Sequence, residues 1–121
     1  MAPAHDDDLL PEAGDLVWID FNPIKGSEQA GRRPALVLTT ADFHRRSRMA
    51  IVCPITSNLS PWPTKVMLPD TSPVKGAVLC EQIRSIDREE RGLRRAGTAP
   101  DGVLEEVTLI LRALILPSPD R

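Results

Sequence analysis

Gly14-Asp15-Leu16-Val17-Trp18-Ile19-Asp20-Phe21, a polar run from Asn22 to Arg33, and then Pro34-Ala35-Leu36-Val37-Leu38-Thr39-Thr40 open the ordered part of this chain. The first run predicts a strand over Asp15–Phe21. Its alternation is imperfect, because Leu16 and Trp18 give way to Ile19 and Phe21, which suits a strand covered on both faces. Pro34–Thr40 predicts a second strand, continuously apolar from Ala35 to Leu38. The polar run between them has Pro23, Gly26 and Gly31 as turn residues. It is too long for a plain hairpin, and loops of that length are often functional.

Outward from this pair the pattern repeats. One helical turn fits Asp42–Ser47. A third strand is predicted over Met49–Thr56, followed by a loop from Ser57 to Pro63 that Pro61-Trp62-Pro63 stiffens. A fourth strand fits Thr64–Leu68, turns fill Pro69–Gly76, and Ala77–Ile86 reads as one long strand or two joined at a bend. A last short strand falls within Gly92–Thr98. Only the end is helical. Pro100, Asp101 and Gly102 start it, Val103, Val107, Ile110, Leu111 and Leu114 recur at helical spacing, and Pro117 stops it. Leu104, Leu109, Ile115 and Leu116 widen its apolar surface, so the helix needs cover on more than one side. Short strands with frequent turns predict a small barrel or half-open sheet, mainly β with a C-terminal helix. The expected organisation is a flexible tail over 1–13, one domain over 14–116 and a short tail over 117–121.

With 121 residues the chain is one ordinary domain. Aromatics are only 3%, so its core must be built from Val, Ile, Leu and Ala. No apolar run is long enough to span a membrane. The acidic start, Asp6–Asp8, is the opposite of a basic signal peptide, so a cytoplasmic protein is expected. Cys53 and Cys80 each lie in an apolar run and read as reduced, buried thiols. No metal-ligand spacing and no phosphate-binding glycine loop is present, so neither a metal nor any other cofactor is expected. The net charge of −2 argues against a generic nucleic-acid coat. Base is nonetheless concentrated at Arg32–Arg33, at Arg45–Arg48 and from Arg84 to Arg95. Twelve of the fifteen cations are arginine, the better residue for phosphate forks. Only two histidines exist, His5 in the tail and His44 in a connector. Any phosphodiester chemistry here must therefore use arginine, hydroxyls and a carboxylate.

Gly14–Phe21 followed by Lys25-Gly26-Ser27-Glu28-Gln29-Ala30-Gly31-Arg32-Arg33-Pro34-Ala35 resembles the opening of the MazF/PemK toxin family. The similarity continues through Cys53-Pro54-Ile55-Thr56-Ser57 and Cys80-Glu81-Gln82-Ile83-Arg84-Ser85-Ile86-Asp87 into the helix, over roughly residues 14 to 116. The resemblance implies an SH3-like barrel that forms a homodimer and a toxin of a type II toxin–antitoxin system. It implies a metal-independent, sequence-specific endoribonuclease acting on single-stranded RNA. The substrate's own 2′-hydroxyl would attack, leaving a cyclic phosphate and a 5′-hydroxyl. It also implies a cognate antitoxin whose disordered acidic C-terminal segment occupies the RNA groove.

On that resemblance Arg33 and Thr56 are the catalytic candidates. A guanidinium suits the charge that builds on the phosphate oxygens, and Pro34 restricts the backbone of Arg33. The Thr56 hydroxyl can hold the phosphate or relay a proton, or simply satisfy the strand end, with Ser57 beside it. Lys25, Glu28 and Gln29 are RNA-contact candidates of the first loop, Lys25 for a phosphate, Gln29 for a base edge and Glu28 as a loop-ordering acceptor. Trp62 either stacks on a base or anchors its loop. Glu81 and Gln82, like Ser57, are further RNA-contact candidates, and the pair falls where some relatives carry an arginine-x-aspartate arrangement. The matching positions here are Leu79 and Glu81, so the arginine is missing and that scheme does not carry over. Two other functions compete. A gyrase-poisoning toxin of the same fold depends on a terminal Trp-Gly-Ile, whereas this chain ends Leu116-Pro-Ser-Pro-Asp-Arg121. A barrel that binds RNA or protein without cutting would not need both Arg33 and Thr56.

Overall fold

The computed structural model describes residues 10–21 and 32–119. Seven strands make one sheet: β1 (Asp15–Asp20), β2 (Arg32–Val37), β3 (Met49–Thr56), β4 (Lys65–Met67), β5 (Ala77–Leu79), β6 (Arg84–Asp87) and β7 (Arg94–Thr98). Among the described residues three α-helices accompany them: α1 (Ala41–His44), α2 (Arg88–Arg91) and α3 (Val103–Ile115). The strand order is β4-β5-β3-β2-β1-β7, with β6 also paired to β3, and every pairing is antiparallel. The fold is therefore mainly β with a C-terminal helix, a barrel-like sheet left open between its ends.

β3 organises the sheet. One edge pairs with β2 through Val52–Pro54, and the other pairs with β6 over its first half and with β5 at Ile55 and Thr56. β5 and β6 are the two halves of the run expected over Ala77–Ile86. The bend between them is a 3₁₀ turn at Cys80–Gln82, and the register against β3 steps by that turn's length across it.

Strand alternation divides the core in two. One face packs Leu16, Leu36, Cys53, Ile55, Val66 and Val78 against Val103, Val107 and Leu111 of α3. The other packs Val17, Ile19, Ala35, Val37, Ala50, Val52 and Ile86, with Phe21 and Leu93 partly buried against it. Both cysteines are free and buried, and burial pushes the Cys53 thiol up to about 12 and the Cys80 thiol up to about 11.

β2 differs from its expected span in both directions. It starts at Arg32 because Asp20 and Ile19 pair with Arg32 and Arg33, drawing polar residues into the ladder. It stops at Val37 because Thr39 and Thr40 have other work. Thr40 caps α1 by accepting from Phe43 N, and Thr39 Oγ1 accepts from Ile51 N. Pro11–Ala13, read from the sequence as the end of a tail, is fastened down. Pro11 is fully buried, its carbonyl accepts from His44 Nδ1 at 2.8 Å, and Glu12 Oε1 accepts from Ala41 N. The helix α2 was not expected. Asp87 caps it through Glu89 N and Glu90 N, and Gly92 ends it in the left-handed region at φ 64°. Among the described residues, no helix is long and apolar enough to cross a membrane.

Candidate active site

Arg33 and Thr56 are brought together by strand register. β2 and β3 pair with Ala35 opposite Pro54 and Val37 opposite Val52. The ladder ends at Ala35 and Pro54; extended by two residues, its register puts Arg33 opposite Thr56. Opposed residues of antiparallel strands share a face, so both side chains belong to the face built on Ala35, Val37 and Val52, away from α3. Arg33 is exposed and has no ion-pair partner among the described residues. Thr56 is half-buried at the end of β3, and its hydroxyl oxygen accepts from Asn58 N at 3.1 Å. That bond uses a lone pair and leaves the O–H free to donate. The Thr56 backbone is fixed from below by Gly76, whose φ is 133° and where any Cβ would overlap the Thr56 carbonyl oxygen. Glycine is required there by both space and conformation.

The adjacent Arg32 does a different job. Its Nη1 donates to Gly92 O at 2.5 Å and more weakly to Trp18 O at 3.4 Å, fastening β2 and β1 to the turn after α2. The basic clusters of the sequence separate in the same way. Arg48 pairs with Asp87 and Glu89, Arg88 donates to His44 O and Ser47 O, Arg91 donates to Asp20 O, and Arg95 pairs with buried Asp15. Each of these guanidiniums holds part of the fold. Arg84 is distinct. Its Cζ lies 5.2 Å from the Phe21 ring centroid, a cation–π contact. Register places Arg84 opposite Val52 and Phe21 two residues beyond Ile19, hence both on the Arg33 face. Neither was a candidate from sequence, although the spacing from Ile19 to Phe21 carried the signal.

The loop after Thr56 is held at several points. Asn58 Oδ1 accepts from Ser60 N, Lys65 Nζ donates to Asn58 O and Ser60 O, both at 2.8 Å, and Lys65 N donates to Trp62 O. Trp62 is 61% exposed, yet its Nε1 donates to Glu81 Oε1 at 3.0 Å. The same oxygen accepts from Thr64 Oγ1 at 2.5 Å. Those bonds, from Thr64 and then Trp62, hold the Glu81 carboxyl below its ordinary value. Glu81 therefore faces the loop, and Trp62 is anchored by its edge without being buried. Ser57 and Gln82 are exposed. Lys25, Glu28 and Gln29 lie outside the described residues. Among the described residues, no group of three His, Cys, Asp or Glu is placed to hold a metal ion.

This arrangement has relatives. A family model described as a PemK-like, MazF-like toxin of type II toxin-antitoxin systems matches residues 12–115. The endoribonuclease toxin MazF of Escherichia coli K12 is 36% identical over 106 residues, covering 88% of this chain and 95% of that protein. The endoribonuclease toxin ChpB of the same strain is 38% identical over 110 residues, covering 86% and 93%. Among solved structures, MazF from Deinococcus radiodurans superposes with a TM-score of 0.79 at 42% identity, covering 88% of this chain and 96% of that one. A MazE–MazF structure from that organism gives 0.79 at 38% identity, covering 90% and 98%. With the matched model spanning nearly the whole chain, this protein belongs to the PemK/MazF-like family of toxins of type II toxin–antitoxin systems.

Proposed function

We propose that this chain, an endoribonuclease toxin by family, cuts single-stranded RNA at short sequence motifs through attack by the substrate's own 2′-hydroxyl. The observation that carries the chemistry is the register that sets exposed Arg33 opposite Thr56 on one sheet face. The 2′-oxygen forms a bond to phosphorus and loses its proton, while the bond from phosphorus to the 5′-oxygen breaks and that oxygen takes a proton. The products are a cyclic phosphate and a 5′-hydroxyl. Charge builds on the non-bridging oxygens between these events, and the Arg33 guanidinium stabilises it with paired hydrogen bonds. Thr56 donates its hydroxyl proton to the phosphate, its oxygen already positioned by Asn58 N. Lys25, Gln29 and Ser57 contact the RNA around that phosphate, and Glu28 orders the first loop. Because the Arg33 guanidinium supplies the charge, the scheme assigns no step to a metal ion.

The folded unit is residues 14–116 together with Pro11–Ala13, which are fastened to it, and it works in the cytoplasm as a homodimer. The apolar residues that α3 and its end leave exposed, Leu109, Leu114, Ile115 and Leu116, supply self-complementary surface. The cognate antitoxin ends in a disordered, acidic, apolar-studded segment that covers Arg33 and so blocks the scissile phosphate. The deciding experiment is cleavage of a long unstructured RNA in excess EDTA, with the released 5′ ends mapped. Cutting at short motifs with 5′-hydroxyl ends is expected. Activity lost with chelator and restored by magnesium would refute the mechanism.

A further inference from the structure

The Trp62 indole is exposed, yet it is held by its edge. Trp62 sits between Pro61 and Pro63, so its backbone is restrained on both sides. Its carbonyl accepts from Lys65 N, and its ring N–H is bonded to Glu81, nineteen residues away on the 3₁₀ turn. Glu81 itself is fixed by the Thr64 hydroxyl on the same oxygen, while Cys80 N donates to Thr64 O directly behind it. Turn and loop thus form a closed ring of hydrogen bonds around an indole that remains 61% exposed. Only the edge of the indole is used by the fold, and its faces are left to solvent. Lys65 Nζ already ties the loop at Asn58 and Ser60. The loop begins at Thr56, and Lys65 lies on the Thr56 face by its pairing with Leu79. Trp62 thus sits in the loop that joins Thr56 to β4.

We propose that Glu81 is a positioning residue that locks the Trp62 indole as a stacking platform for one unpaired base of the RNA. The inference rests on the ribonuclease reading and adds to it the subsite that receives a flanking nucleotide. Stacking on an aromatic face is tolerant of base identity, so the platform adds affinity at that nucleotide more than sequence choice. The Glu81 carboxylate acts through Trp62 and does not touch the substrate. A free indole would sample several rotamers, and fixing one removes that entropy before RNA arrives.

The test uses the full-length toxin and an RNA oligonucleotide bracketing a mapped cut, together with versions shortened one nucleotide at a time from each end. Trp62→Ala should raise KM by about 5- to 100-fold, the range that corresponds to losing one base stack, with kcat changed far less. Trp62→Phe should recover most of that loss. Glu81→Ala should raise KM by a smaller factor, and Glu81→Gln, which keeps an acceptor oxygen, should fall between it and the wild type. Glu81→Ala should add nothing once Trp62 is alanine. On the shortened RNA that lacks the stacked base, the variants and the wild type should converge. Additive losses in the double variant would mean that Glu81 meets the RNA itself. A fall in kcat at constant KM would place Glu81 in the chemistry. Unchanged RNA kinetics with weakened inhibition by an acidic antitoxin peptide would make Trp62 a protein-docking residue. Each of these outcomes overturns the platform while leaving the ribonuclease intact. A wild-type protein that cuts no RNA removes both.

Discussion

At the Thr39 end of β2 the polar side chains are matched to partners. Thr39 Oγ1 accepts from Ile51 N and meets His44 Nε2 at 2.7 Å, His44 Nδ1 reaches Pro11 O, and Arg88 spans to His44 O and Ser47 O. Asp15 is buried against Glu12 N and Arg95. At the opposite end, roughly 20 Å away by strand rise, Arg33 stands exposed and Thr56 keeps a donor in reserve. Groups that fold the chain are mostly satisfied by the chain, whereas the two groups assigned to the ligand keep donors free for it. The contrast also applies between neighbours in sequence, since Arg32 is spent on Gly92 O while Arg33 is not.

The sharpest way to break this contrast is Arg33→Ala. It should cost on the order of 10² to 10³ in cleavage rate, the scale of losing one preorganised stabiliser of transition-state charge. The melting temperature should stay within a degree or two, because the side chain covers no core. A variant that melts early would move Arg33 into the structural class. At the matched end the effects reverse. Arg88→Ala orphans the carbonyls of His44 and Ser47 and should lower stability by about 1–3 kcal/mol in urea unfolding, with kcat unchanged in the fraction still folded. Arg88 already carries one buried nitrogen, Nε, without a partner. That is part of why its net contribution should fall in this range and not above it. Arg32→Ala comes next, at about 1 kcal/mol, since its bond to Gly92 O is exposed. Cleavage by it should be measured well below its melting temperature. Equal rate losses from Arg32→Ala and Arg33→Ala there would mean bulk charge rather than a positioned guanidinium.

How much of this was legible depends on the range of the interaction that decides each feature. β3 begins at Met49 and ends at Thr56 as its apolar run predicts, and α3 begins at Val103 because Pro100-Asp101-Gly102 and the helical spacing are local signals. β2 was misplaced by two or three residues at both ends, because its start is set by pairing with β1 and its end by the cap at Thr40. The helix α2 had a readable signal, Asp87 as cap and Gly92 as stop, but four residues show too little periodicity to announce it. At the site, motif resemblance selected Arg33 and Thr56. The register that sets them opposite each other needed β2 and β3 to be paired. The roles of Arg32, Glu81 and Lys65 rest on bonds to Gly92, Trp62 and the Asn58 loop, and no local pattern marks which arginine or carboxylate will find a distant partner.

The smallest effect concerns pH and again separates the two ends. Burial lowers the pKa of His44, the Arg88 guanidinium adds to that, and the Pro11 carbonyl together with Glu12 and Asp15 oppose it. The bond to Pro11 O requires a proton on Nδ1, so Nε2 is the acceptor for the Thr39 hydroxyl while the ring is neutral. A second proton would land on Nε2 and displace that hydroxyl. The folded state thus binds this proton less readily than the unfolded chain, whose ordinary value is 6.5. The stabilisation is full above 6.5 and is lost as pH falls through the depressed folded value. Glu12 has the same sign in a lower window. The N–H groups of Ala41 and Ala13 hold its carboxyl below the ordinary 4.5, so its contribution fades only below that pH. Urea unfolding between pH 7.5 and 5.5 should therefore show a decline that disappears in His44→Gln, whose amide can still bond Pro11 O and Thr39. The His44 imidazole resonance of the folded protein should titrate below 6.5 over the same range. The decline should leave KM at the Arg33 end unaltered wherever the protein remains folded. A decline of equal slope in His44→Gln would place the sensitive group elsewhere, and a KM that follows the His44 titration would show the two ends to be coupled.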